Sequence, residues 1–127
     1  MKRLIKKAIA AQKLAYAPYS QYAVGAALMT TSGKIYTGSN VESASYSLTM
    51  CAERNAIFKS VTEGHRDIAT LVVVTKDSGF PCGACRQVMN EFNPNMVIIV
   101  ANSEGKTLFE KHLYEILPHA FGPSNLA

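Results

Sequence analysis

The sequence has no tryptophan, no internal repeat, no linker rich in Pro, Gly or Ser, and no long uninterrupted apolar run. Crossing a bilayer takes about 18–20 consecutive apolar residues, so a membrane-spanning helix is not expected. Proline and glycine are modest, 5 and 8 in 127 residues, and 17% of residues are charged against 48% hydrophobic. That balance excludes collagenous, low-complexity and disordered classes. The length suits one domain, residues 1–127, able to bury a core without covalent staples. Cysteine is scarce as well, with three in the chain. An odd number cannot all be closed into a disulfide framework, so their spacing matters more than their count. The formal net charge of +4 falls short of the dense basic stripe that a nucleic-acid surface requires.

What basic character there is gathers at Lys2, Arg3, Lys6, Lys7 and Lys13. It reads as the solvated face of a helix. The apolar stretch from Ala8 to Ala11 is cut off by Gln12 and Lys13, whereas a signal-peptide core needs about 7–15 apolar residues. Export is therefore not expected, and a cytoplasmic, reducing setting is. There, closely spaced cysteines point to metal or catalysis before a disulfide.

Leu4, Ala8, Ala11 and Ala15 fall at helical spacing and stop before Pro18. Tyr22, Val24, Ala26 and Leu28 alternate as in a strand, and the Ser32-Gly33 turn joins them to a second strand from Ile35 to about Gly38. Thr49 is a candidate N-cap for a helix over Met50–Glu63, with Gly64 as its stop. The runs Ile68–Thr75 and Met96–Val100 are apolar enough for strands covered on both faces. Pro81 leads a helix over Cys82–Phe92, Thr107–Phe109 is a short edge strand, and His112–Leu117 is helical up to Pro118. Helix, hairpin, helix, strand, helix, strand is an α/β order, predicting a mixed sheet with helices on both faces.

The chemistry gathers around the cysteines. Cys82-Gly83-Ala84-Cys85 is a C-x-x-C after Pro81, which puts two thiols one helical turn apart. Alone it could equally be a redox pair. Cys51, followed by Ala52-Glu53-Arg54, supplies a third sulfur. Both groups fall at predicted helix starts, where the dipole favours thiolates, the metal-binding form. Three protein ligands with a fourth position open is the pattern of catalytic zinc, and sulfur donors favour zinc over magnesium or calcium. Three thiolates on Zn²⁺ leave about one excess negative charge, so Arg54 or Arg86 is expected to donate to a sulfur. Glu53 is the candidate proton carrier for a metal-activated water. On a regular helix it would point away from Cys51, so Cys51 must reach end-on from the helix start. A non-catalytic zinc module remains an alternative; it would need a fourth ligand such as His65, His112 or His119, none of them near a cysteine in sequence.

Cys51-Ala52-Glu53 with Pro81-Cys82-Gly83-Ala84-Cys85 follows the zinc deaminase signature with Cys in place of His. With Pro18-Tyr19-Ser20, Val24-Gly25-Ala26-Ala27-Leu28, Asn40-Val41-Glu42, Arg86-Gln87 and Leu117-Pro118, the sequence resembles the small, all-cysteine, homotetrameric cytidine deaminases across nearly its whole length. The resemblance implies a three-layer α/β/α fold on a mixed five-stranded sheet. It implies one Zn²⁺ per subunit on Cys51, Cys82 and Cys85, and hydrolysis of cytidine and 2′-deoxycytidine to the uridines with release of ammonia, as in pyrimidine salvage. Glu53 would shuttle the water proton to N3 and then toward the leaving amine. Asn40 and Glu42 would hold the ribose, and the backbone N–H of Ala52 the base carbonyl. Tyr22 stands at a base-lining aromatic that is often Phe, so its hydroxyl is a departure. Phe121 matches an aromatic that enters a neighbouring subunit's site, making the homotetramer the active unit. The substrate would be a free nucleoside, not a nucleic acid, because the Asn40–Glu42 pair suits an accessible 3′-hydroxyl.

Overall fold

The computed structural model describes every residue from Met1 to Ala127. Its elements, in chain order, are α1 (Lys2–Gln12), β1 (Gly25–Thr30), β2 (Ile35–Ser39), α2 (Ala52–Thr62), β3 (Ile68–Thr75), α3 (Gly83–Phe92), β4 (Val97–Asn102), β5 (Thr107–His112) and α4 (Leu113–Ile116). The strands form one five-stranded sheet in the order β2-β1-β3-β4-β5. All neighbours are antiparallel except β3 and β4, whose parallel pairing is closed by the α3 crossover. This is the mixed α/β sheet that the apolar runs predict. No helix is long and apolar enough to cross a membrane.

The strands bury both faces, as their continuous apolar runs require. In β3, Leu71 and Val73 point to one side and Val72 and Val74 to the other. On the second side α1 lays down Leu4, Ile5 and Ala8 against Ala27, Val72, Val74, Ile99 and Ala101. On the first, α2 and α3 bring Ala52, Ala56, Ile57, Cys85 and Met89 against Ala26, Leu28, Leu71, Val73, Ile98 and Val100. The result is the expected three layers.

Two glycines set how closely the helices approach. A Cβ at Gly25 would collide with the backbone of α1 at Ala8 and Gln12, and one at Gly38 with the backbone of α2 at Ala52 and Ala56. Gly38 therefore lets the start of α2 sit directly on the hairpin. The last turn of α1 tightens into i→i−3 bonds, Leu14 to Ala11 and Ala15 to Gln12, so the regular helix ends earlier than the Ala15 stripe suggests. The first strand likewise begins at Gly25 rather than Tyr22, because Tyr22 and Val24 spend backbone groups on the Asn40 side chain instead of a strand ladder.

Candidate active site

The helices α2 and α3 both start beside the C-terminal end of β3, the edge where open α/β sheets bind ligands. Thr49 is not the cap of α2. Cys51 takes that position with extended backbone (φ −70°, ψ 152°), and Thr49 Oγ1 instead accepts the Ser43 backbone N–H at 3.1 Å. Cys82 occupies the same place on α3 (φ −67°, ψ 167°). Neither thiol caps a backbone N–H of its own helix, so both sulfurs are left to face the cleft. Cys85, one turn inside α3, is fully buried. The extended N-cap also resolves the spacing problem at Glu53: Cys51 lies off the helical spiral, and Glu53 turns inward at 4% exposure.

The three sulfurs converge. Sγ of Cys51 lies 3.9 Å from Sγ of Cys82, which lies 3.5 Å from Sγ of Cys85, and all three are within 4.8 Å of one another. Tetrahedral zinc with Zn–S bonds of about 2.3 Å holds its sulfurs about 3.8 Å apart, so the residues present fit that ion. No histidine joins them: His65 faces Asp67, and His112 contacts the Asn95 carbonyl.

The charge of the cluster gathers on Cys51. The Cys85 S–H hydrogen bond and the Arg54 guanidinium bring the Cys51 thiol down to about 5. The same bond, with burial, raises Cys85. Arg54 Nη2 donates to Cys51 Sγ at 3.3 Å, the charge compensation expected of one arginine. Arg86 takes a different role. Its Nε donates to the Pro81 carbonyl and its Nη1 to the Ile116 carbonyl, both at 2.8 Å, so it pins the loop ahead of Cys82 instead of touching sulfur.

Glu53 lies in the same cleft as Cys51 and Cys82, a hollow of about 280 Å³ floored by Val73. Burial, reinforced by the nearby Cys51 thiolate, raises its carboxyl to about 7. A group near neutrality can both accept and return a proton, which is what general acid–base work needs.

Asn40, Glu42 and Tyr22 line this cleft too. Asn40 is 7% exposed; its Oδ1 accepts the Val24 N–H and its Nδ2 donates to the Tyr22 carbonyl, both at 2.9 Å. Glu42 Oε1 accepts the backbone N–H groups of Tyr19 and Ser20, and Oε2 accepts the Ser20 hydroxyl, which lowers its pKa. Ala52 is the first residue of α2, where a backbone N–H has no partner within the helix. Phe121 stands apart. It is 58% exposed, lies outside the cleft of its own chain, and is tied to α3 by Gln87 and Asn90, which donate to its carbonyl. Thr75, Gly79 and Phe80 also line the cleft but carry no sequence signal beyond a loop before Pro81.

Three comparisons agree on what this arrangement is similar to. Residues 1–101 match the family described as the cytidine and deoxycytidylate deaminase zinc-binding region. The chain is 49% identical over 121 residues to the cytidine deaminase of Halalkalibacterium halodurans, covering 93% of this chain and 91% of that protein. It is 41% identical to the probable cytidine deaminase of Dictyostelium discoideum, covering 99% and 86%. Among solved structures, the crystal structure of cytidine deaminase from Burkholderia pseudomallei superposes with a TM-score of 0.89 at 45% identity, covering 94% of this chain and 97% of that one.

Proposed function

Since the chain belongs to the cytidine and deoxycytidylate deaminase family, a family of hydrolytic enzymes, we propose that it hydrolyses the 4-amino group of cytidine and 2′-deoxycytidine, with zinc as its cofactor. The observation that carries this reading is the meeting of three sulfurs, those of Cys51 and Cys82 lining the cleft, with one buried carboxyl raised to about 7 in that same cleft.

Cys51, Cys82 and Cys85 would hold one Zn²⁺ per subunit. Bound there, the ion would supply a Lewis acid that makes water nucleophilic near neutral pH. Glu53 accepts one proton of the water and delivers it to N3 of the pyrimidine as the oxygen bonds C4, then carries the second, from the new C4 hydroxyl, to the amine as its C4–N bond breaks. Its raised pKa suits both halves of that cycle. Arg54 offsets the excess negative charge by bonding to Cys51 Sγ. Asn40 and Glu42 meet the sugar hydroxyls, and a nucleoside lacking the matching hydroxyl would leave these groups unpaired. Tyr22 flanks the base and the Ala52 N–H receives its carbonyl. In the homotetramer, Phe121 reaches a neighbouring subunit's cleft. The whole chain acts as one domain in the cytoplasm, in pyrimidine salvage.

The test is the loss of ultraviolet absorbance on mixing the zinc-loaded protein with cytidine, 2′-deoxycytidine, or a cytosine-containing oligonucleotide. Turnover of both nucleosides and none of the oligonucleotide is expected. Deamination of the oligonucleotide alone would overturn the reading.

A further inference from the structure

Tyr22 is held from three directions. Its backbone N–H donates to Ser20 Oγ at 3.0 Å, and its carbonyl accepts from Asn40 Nδ2 at 2.9 Å. Gln21 before it has a left-handed backbone (φ 57°). With the main chain fixed, the phenol crosses the cleft mouth and donates to Asp77 Oδ1 at 2.5 Å. Asp77 lies 55 residues away in the loop between β3 and α3, whose later residues Gly79, Phe80 and Cys82 form one lip of the cleft as Ser20 and Tyr22 form the other.

That loop is shaped around the phenol. Thr75 Oγ1 donates to the same Asp77 Oδ1 at 3.3 Å and accepts the Gly79 N–H at 2.7 Å. Ser78 between them is buried and left-handed (φ 61°). A Cβ at Gly79 would lie 2.7 Å from the Tyr22 hydroxyl, so any larger residue would displace it. The Lys76 ammonium sits 5.6 Å from the centre of the Tyr22 ring. The phenol hydrogen bond lowers Asp77, as an ionised acceptor requires. Phe80 and Cys82 come next on the same loop and line the same cleft.

We infer that Asp77 is a positioning residue for the nucleoside. By accepting the Tyr22 hydroxyl it fixes that ring as one wall of the cleft and sets the distance between the two lips. Asp77 does not line the cleft and acts only through Tyr22. The hydroxyl, which a phenylalanine would lack, is spent on the opposite lip and is not offered to the substrate. The inference rests on the cleft being the nucleoside site.

A double-mutant cycle on the zinc-loaded protein tests it, reading cytidine KM, kcat and zinc content for Tyr22→Phe, Asp77→Ala, Asp77→Asn and the double variant Tyr22→Phe/Asp77→Ala. Asp77→Ala is expected to raise KM by roughly threefold to tenfold, the scale of one ordinary lost hydrogen bond, with kcat changed by less than about twofold and one zinc retained. Asp77→Asn, whose amide oxygen still accepts, recovers most of the loss. The double variant is no worse than the poorer single one. Multiplying KM effects, an unchanged KM in Asp77→Ala, failure of Asn to rescue, or loss of zinc each overturns the inference while cytidine turnover by the parent protein stands. A zinc-loaded parent inert toward cytidine overturns the functional reading, and this inference with it.

Discussion

Two helices of this chain begin at a cysteine, and they begin alike. Cys51 and Cys82 share the extended N-cap geometry, and neither side chain satisfies its own helix. Where Ser or Asp caps a helix, the side chain bonds an early N–H and contributes about 1 kcal/mol. Here that stabilisation is forgone at both starts, and the sulfurs are left to face each other across 3.9 Å. The residues after the two caps differ. Cys82 is succeeded by Gly83 and Ala84, then by a second sulfur one turn on. Cys51 is succeeded by Ala52, the buried Glu53, and Arg54 bonded back to the sulfur. On the proposed reading, the α3 start grips the metal, and the α2 start moves a proton and balances charge. Identical caps supply one coordination geometry, and the next three residues decide what each helix does with it.

The largest effect should come from breaking the grip. Cys85→Ser on α3 is expected to reduce zinc, measured by metal analysis, from one per chain to a small fraction. Cytidine turnover should fall with it, because two sulfurs cannot close the site. Full zinc occupancy in that variant would mean that the α3 start does not hold the metal.

The proton-moving start is best isolated without metal, by comparing the unfolding free energy of the parent with that of Glu53→Gln across pH. Burial raises Glu53 from its ordinary value of 4.5 to about 7. Below pH 4.5 the carboxyl is protonated in both folded and unfolded chains. As pH rises through about 7 the unfolded chain ionises first, so the stability this group contributes at low pH is lost. Glu53→Gln should therefore gain on the parent between those values, by about 3 kcal/mol at the upper end, and the gap should then level off. A gap that stays constant with pH would contradict a buried, raised carboxyl.

A smaller effect belongs to charge balance. Arg54→Ala is expected to weaken zinc binding or slow turnover by about tenfold, the usual scale for a partner bonded to a metal ligand. The matching change at Arg86 acts on loop carbonyls, so its zinc affinity should change less. Equal effects of the two would erase the contrast between the helix starts.

Much of the fold was legible because its signals are local or periodic. The apolar runs at Leu71–Val74 and Val97–Val100 predicted strands buried on both faces, and the C-x-x-C together with Cys51 predicted the sulfur cluster. The errors fall where side chains replace regular backbone bonding. Thr49 has the composition of a cap, yet the cap is Cys51, because the segment before it pairs as an isolated bridge between Met50 and Val41 and carries the chain in extended. Tyr22 has strand spacing, but Asn40 takes its carbonyl. Arg54 and Arg86 each follow a cysteine closely, and only the fold separates the one on sulfur from the one on the Pro81 carbonyl. Asp77 could not be assigned from sequence, because its meaning lies in a contact with a residue on another loop.

The proposed function makes holding the metal and using it separate tasks of neighbouring residues at the α2 start. Zinc content and cytidine turnover measured on one preparation of Glu53→Gln test that separation most directly. One zinc per chain is expected, with turnover reduced by at least about a thousandfold. Turnover within tenfold of the parent would contradict the role of Glu53, and loss of the zinc would contradict the separation.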